Sequence, residues 1–173
     1  NYLLEMRASG RDKVQDYADK FGCEFHAGEK PWGLGADKVD IMMPCATQND
    51  VNMDSAKKIA ASGIKYYIEV ANMPTTNDAL EFLKEQKHMV IAPSKAVNAC
   101  GVAVSALEMA QNAERLYWTA EEVDAKMHQI MANIYHSSVA AAERYGLGYD
   151  LVAGANIVGF QRVADAMMAQ GIF

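Results

Sequence analysis

Three short apolar runs, Val39 to Met43, Ile64 to Val70 and Met89 to Ala92, begin 25 residues apart, and a helical pattern follows each of them. Runs of this length, bounded by turn residues, are strand-sized. Their repetition with intervening helices is the rhythm of βα units, which join parallel strands through crossover helices. A chain built on this interval is therefore expected to form a parallel, doubly wound α/β layer.

The helix after the first run is read over Asn52 to Ser62, with apolar Met53, Ala56, Ile59 and Ala60, and a stop at Gly63. After the second run, Thr75 and Asp78 give a capping-box-like start to a helix carrying Leu80 and Leu83. The third run leads, past Asn98, into a helix from Ala99 to Ala113 rich in small residues such as Gly101, Ala103 and Ser105, which predicts a close approach to its backbone. Thr119 and Glu122 form a second capping box, ahead of an amphipathic face of Val123, Met127, Ile130, Met131 and Ile134 running towards Gly146. A last helix is read over Asn156 to Ala169, ending at Gly171. In front, residues 2 to 20 read as a helix interrupted near Ser9 and Gly10, followed by an edge strand at Cys23 to His26. No Pro, Gly or Ser linker divides the chain, so residues 1 to 173 are taken as one domain whose last helices return to cover the sheet.

Composition narrows the function classes. With 51% hydrophobic residues in 173, the chain can fill one ordinary core. A net charge of −6, with 16 Lys and Arg spread out and no run of five like charges, argues against a nucleic-acid partner. No apolar stretch reaches the ~18 residues a membrane span needs, so no membrane is expected. The first residues carry neither a signal-peptide apolar segment nor a starting Met, and the start reads as internal to a longer chain. Cys23, Cys45 and Cys100 are odd in number and far apart, which suits a reducing, cytoplasmic compartment. The four histidines stand in no metal-type spacing, so no metal is expected.

In open parallel sheets, ligands bind at the carboxyl ends of the strands. All three ends contain proline: Pro44-Cys45-Ala46-Thr47-Gln48-Asn49, Ala71-Asn72-Met73-Pro74-Thr75-Thr76 and Pro93-Ser94-Lys95-Ala96-Val97-Asn98. Proline has no N–H for the ladder, so each segment turns away at the sheet's end towards one common crevice. Asn and Thr there offer fixed donors and acceptors without a charge, suited to a flat, amide-bearing ring; ordinary turn chemistry accounts for the same residues. Gly33-Leu34-Gly35 and Gly146-Leu147-Gly148 do not complete a phosphate loop and are read as turns. Lys95 is the only basic residue at the three ends; it would meet a carboxylate or phosphate, or simply solvent.

The segments DIMMPCATQNDV, YYIEVANMPTT, APSKAVNACGVAVSALEMAQN and LVAGANIVGFQRVADAMMAQG together resemble the C-terminal region of hexameric bacterial glutamate dehydrogenases, and the resemblance runs over essentially the whole chain. It implies a partial Rossmann-like fold and an enzyme that interconverts L-glutamate and NAD or NADP with 2-oxoglutarate, ammonium and the reduced cofactor, as a homo-oligomer. By resemblance, Ala46 and Thr47 line the dinucleotide, Asn72 and Asn98 lie near the nicotinamide ribose and carboxamide, and Val102 and Ser105 reach the substrate. Cys100 and Ala106 stand where that family's pattern has glycine, which implies tighter packing around Val102 and Ser105. The glycine-rich first turn and the catalytic lysine and aspartate of the family have no counterpart here, so no catalytic residue is assigned to this chain. The competing readings are a non-catalytic Rossmann-like binding or assembly module, and a related amino-acid dehydrogenase with an apolar substrate.

Overall fold

In a computed structural model describing residues 2–10, 13–35 and 38–171, the chain divides into two compact units, Asn1–Pro31 and Trp32–Phe173. The first unit is a helical hairpin of α1, Tyr2–Ala8, and α2, Val14–Phe21. The expected break at Ser9 and Gly10 is present; residues 11 and 12 of the expected helix lie outside the described residues. Tyr2 stacks against Tyr17 and Phe21, with ring centroids 6.2 and 5.5 Å away, and the Lys20 ammonium sits 3.7 Å from the Tyr2 ring centre. The expected edge strand at 23–26 is not formed. Its side chains are exposed and satisfied locally, His26 Nε2 lying 3.4 Å from Glu24 Oε2. A strand needs a neighbouring ladder, and this unit has none among its described residues.

The second unit contains the parallel sheet. Its strands β1, Ile41–Met42, β2, Tyr66–Ile68, and β3, Val90–Ala92, lie in the order β1-β2-β3, with Ile41 opposite Tyr66 and Tyr67 opposite Ile91. Each strand is shorter than its apolar run because the outer residues already belong to the turns. Lys65 N and Tyr66 N both donate to Asp40 O, and Val70 N and Ala71 N both donate to Pro44 O. Crossover helices α3, Met53–Ala61, and α4, Asn77–Lys84, follow β1 and β2. Asn52 caps α3 by accepting from Ser55 N at 3.0 Å, and Gly63 takes the left-handed conformation, φ 73°, that ends it.

The start of α4 departs from expectation. Thr76, rather than Thr75, holds the N-cap position, without a side-chain cap bond. Thr75 is diverted inward, where its hydroxyl meets the buried Tyr67 hydroxyl at 2.8 Å. Burial pushes the Tyr67 phenol well above its ordinary pKa, more than the Thr75 hydroxyl lowers it. Around this pair Trp32, Met42, Val51, Ile59, Ile64, Leu83 and Ile91 form the core.

After β3 come the one-turn helix α5, Ser94–Val97, then α6, Ala99–Glu114, α7, Ala120–Arg144, and α8, Leu151–Gln170. The Thr119–Glu122 capping box at α7 is complete in both directions, at 3.2 and 2.7 Å. The face from Val123 to Ile134 is half-buried, and it deepens at Ser138, Ala141 and Ala142. Helix α8 starts five residues before the expected Asn156, because Asp150 Oδ1 caps it by accepting from Ala153 N at 2.9 Å. It packs along α7 and against β3, and Val152 reaches the core, so the last helices do return to the sheet. The close backbone approach expected of α6 occurs elsewhere. A Cβ on Gly101 would meet nothing within 4 Å, whereas one on Gly154 would stand 2.0 Å from Ser138 O across the α7–α8 crossing.

A candidate cofactor and substrate cleft

The carboxyl ends of β1 and β2 are joined by main-chain bonds before any side chain takes part. Asn49 N donates to Met73 O at 3.0 Å, Val51 N to Pro74 O at 2.9 Å and Thr76 N to Val51 O at 3.0 Å. Asn49 and Met73 sit in the left-handed region, φ 57° and 46°, so the two turns are tight as well as linked. Pro44 and Pro74 are fully buried beneath them.

Above this floor lies an open cleft of about 570 Å³. Cys45, Ala46 and Gln48 line it from the turn after β1, Val70 to Asn72 from the turn after β2, Asn98 from the end of α5, and Gly101, Val102 and Ser105 from α6. Five of the six residues assigned by resemblance, Ala46, Asn72, Asn98, Val102 and Ser105, thus share one cleft. Thr47 is exposed and does not line it. Cys45 and Gln48 also line it; the sequence places both in the turn after β1 but gives neither a role.

Asn98 is the junction of the site. Its Nδ2 donates to Val70 O at 3.2 Å and to Asn72 Oδ1 at 2.6 Å, leaving Asn98 Oδ1 and Asn72 Nδ2 outside that bond. The linked pair thus keeps one acceptor and one donor, both uncharged, which is the hydrogen-bonding complement of a primary carboxamide. Ser105 Oγ donates to Gly101 O at 3.2 Å, and Val102 beside it is 77% exposed. Lys95 faces away from the cleft: its ammonium donates to Asn156 Oδ1 on α8. No lining residue carries a formal charge. Among the described residues no group of three or more His, Cys, Asp or Glu could hold a metal ion, and no helix is long and apolar enough to cross a membrane.

One participant is hidden inside an apolar run. Glu69 is only 3% exposed, and its Oε2 accepts from Ser94 N at 3.2 Å, the first amide of α5. Its signal was a lone acid between Ile68 and Val70, where a buried strand calls for apolar residues.

A parallel sheet flanked by helices, with a neutral polar cleft at its carboxyl ends, is the architecture of a nucleotide-binding α/β layer. Over residues 1–171 the sequence matches the Glutamate/Leucine/Phenylalanine/Valine dehydrogenase family, and the chain belongs to it. It is 74% identical over 172 residues to the NAD-specific glutamate dehydrogenase of Clostridium symbiosum, covering 99% of this chain and 38% of that protein. It is 51% identical to the NADP-specific glutamate dehydrogenase of Escherichia coli K12, covering 98% of this chain and 37% of that one. A solved glutamate dehydrogenase structure superposes with a TM-score of 0.93 at 74% identity, over 99% of this chain and 38% of its own. The chain thus spans little more than a third of the length of the relatives it matches.

Proposed function

We propose that this sequence forms the later half of the dinucleotide-binding domain of an NAD- or NADP-dependent glutamate dehydrogenase, supplying one wall of the cofactor and substrate cleft. The reading rests on the convergence of Ala46, Asn72, Asn98, Val102 and Ser105 at the carboxyl ends of parallel strands. The free amide poles of Asn72 and Asn98 fit the carboxamide and ribose hydroxyls of a nicotinamide nucleotide, and the absence of charge leaves the electrostatics of hydride transfer to the reactants. Ala46, with Thr47 at the rim, lies along the dinucleotide. Val102 shapes the substrate pocket, and Ser105, by turning its hydroxyl from Gly101 O, donates to the distal carboxylate of glutamate.

With its nicotinamide end held by Asn72 and Asn98, NAD or NADP would supply the hydride acceptor for oxidation of glutamate at its α-carbon, and water would release 2-oxoglutarate and ammonium. This wall binds and orients, and it holds no proton in transit. The general acid and base come from outside the sequence given, so the isolated 173-residue chain is expected to be inactive. The working enzyme is a homo-oligomer, a hexamer by family resemblance, in the cytoplasm, where Cys23, Cys45 and Cys100 stay as free thiols. The test is glutamate-dependent formation of NADH or NADPH by the natural gene product containing this sequence. No reduction of either cofactor would overturn the reading, and turnover by residues 1–173 alone would overturn the division of labour.

A further inference from the structure

We propose that Glu69 is a positioning residue for this cleft: its buried carboxylate holds the first turn of α5 so that Asn98, at the other end of that turn, meets the nicotinamide side of the cofactor. The inference deepens the dehydrogenase reading and rests on it.

The geometry is a closed loop of contacts that starts and ends on β2 and the turn after it. Glu69 N is tied into the sheet through Ala92 O at 3.0 Å, which fixes the root of the side chain. Its Oε2 accepts from Ser94 N at 3.2 Å, the amide that opens α5. Within α5, Asn98 N donates to Ser94 O at 2.9 Å, and Ala96 N and Val97 N share Pro93 O at 3.0 Å each, so the turn moves as one piece. Asn98 then returns to Val70 O and Asn72 Oδ1, immediately beyond Glu69 in sequence. Asn98 is also where α5 hands over to α6, which carries Val102 and Ser105. A shift at Ser94 is therefore passed to three residues of the cleft wall. A four-residue helix has too few internal bonds to hold its own place, and α6 buries no residue that would anchor it from the far side. Two side-chain bonds reach the start of the turn: Lys95 donates to Asn156 Oδ1 on α8, and the Glu69 carboxylate is the one that takes the first main-chain amide. A purely structural acid in this place would affect folding alone; a positioning one changes how the folded cleft receives the cofactor.

The experiment uses the natural gene product and four substitutions. Glu69→Gln keeps an oxygen that accepts from Ser94 N, whereas Glu69→Ala removes it. Ser94→Pro removes the N–H and leaves Glu69 in place; Pro93 has ψ 146° and position 94 is the first of its helix, both compatible with proline. Ser94→Ala controls for the hydroxyl. Cofactor KM, kcat, and deuterium exchange of the segment 94–105 are read for each. Glu69→Ala and Ser94→Pro are expected to raise the cofactor KM about tenfold, as displacement of a positioned group does, with faster exchange in that segment. Glu69→Gln and Ser94→Ala should stay within about twofold of the parent on that same scale. A folded Glu69→Ala or Ser94→Pro protein with parental KM and exchange would overturn the proposal, and so would Glu69→Gln failing as badly as Glu69→Ala. Should Glu69→Ala not fold, Ser94→Pro against Ser94→Ala decides the point. If the parent itself uses neither cofactor, the dehydrogenase reading falls, and parental exchange in Ser94→Pro would still sink the tether by itself.

Discussion

Ser105 shows how much of a residue's role depends on a rotor. Its hydroxyl is donated to Gly101 O, one turn back along α6, an arrangement that keeps the group satisfied until a better acceptor arrives. A substrate carboxylate is such an acceptor, because hydrogen bonds to charged groups are the stronger ones. Replacing Ser105 with Ala in the natural gene product should lower kcat/KM for glutamate about tenfold or more, the worth of one such bond. Norvaline, which lacks the distal carboxylate, should lose much less. Equal losses for the two substrates, measured side by side, would remove Ser105 from the assigned role. A second residue-scale prediction concerns the tyrosine pair on α7 and before α8. The Tyr149 hydroxyl meets that of Tyr135 at 2.8 Å, and this bond, with a smaller contribution from burial, pushes Tyr149 up to about 12. Folding then favours the protonated phenol, so the pair's contribution is fully present below the ordinary tyrosine pKa and declines as pH rises from about 10 towards 12. Ultraviolet titration of the phenolates should show a late-ionising tyrosine that moves to lower pH in Tyr135→Phe; an unchanged titration curve would refute the coupling.

Among the elements, the α7–α8 pair leaves the least room. The 2.0 Å separation that a Cβ on Gly154 would have from Ser138 O is far inside contact distance, and the obstacle is backbone, so the helices themselves would have to part. Gly154→Ala should therefore destabilise the protein by about 3 kcal/mol, the upper part of the range for overpacking. Gly159→Ala, one and a half turns further along where nothing stands within 4 Å, should be neutral or stabilise by up to about 1 kcal/mol through helix propensity. Urea midpoints of the two variants check this, and similar midpoints would contradict the close crossing. Elements along the chain show where sequence is a good guide. The βα interval, the Gly63 stop and the Thr119–Glu122 box act within a few tens of residues at most, and each stands where its local chemistry puts it. What was misread depends on partners distant in sequence. Thr75 reads as a cap because the chemistry of Tyr67, eight residues away and buried, is invisible locally. The small residues of α6 suggested a close crossing that in fact falls at Gly154, because residue size alone does not say which helix face meets a neighbour. The extended look of 23–26 found no ladder to join. In the cleft the strand ends were legible from their prolines, while Thr47 and Glu69 depended on which side of the chain each side chain takes.

The second unit as a whole exposes more apolar surface than a chain keeps in water without consequence. Val102 and Met109 on α6 are 77% and 73% exposed, Phe160, Val163 and Met168 on α8 are 72%, 60% and 73% exposed, and Ile41 on the edge strand β1 is 50% exposed. Exposed large apolar side chains in this number favour contact with other protein, and the edge of the described sheet at β1 adds unpaired main-chain groups. Residues 1–173 made alone should therefore self-associate, with a sedimentation coefficient that rises with concentration in the micromolar range. A sharp monomer boundary and a cooperative unfolding transition would instead mark an independent module. The same unit carries a contrast between what is fixed and what is free in its cleft. The turns after β1 and β2 are stitched together by Asn49, Val51 and Thr76 amides and by carbonyls, atoms that almost any amino acid brings to the same place. The side chains at Cys45, Ala46 and Gln48 take no part in that seam. Descendants of such a gene can exchange those three residues by single base changes and reshape the grip on a ligand, while the seam beneath them survives every exchange.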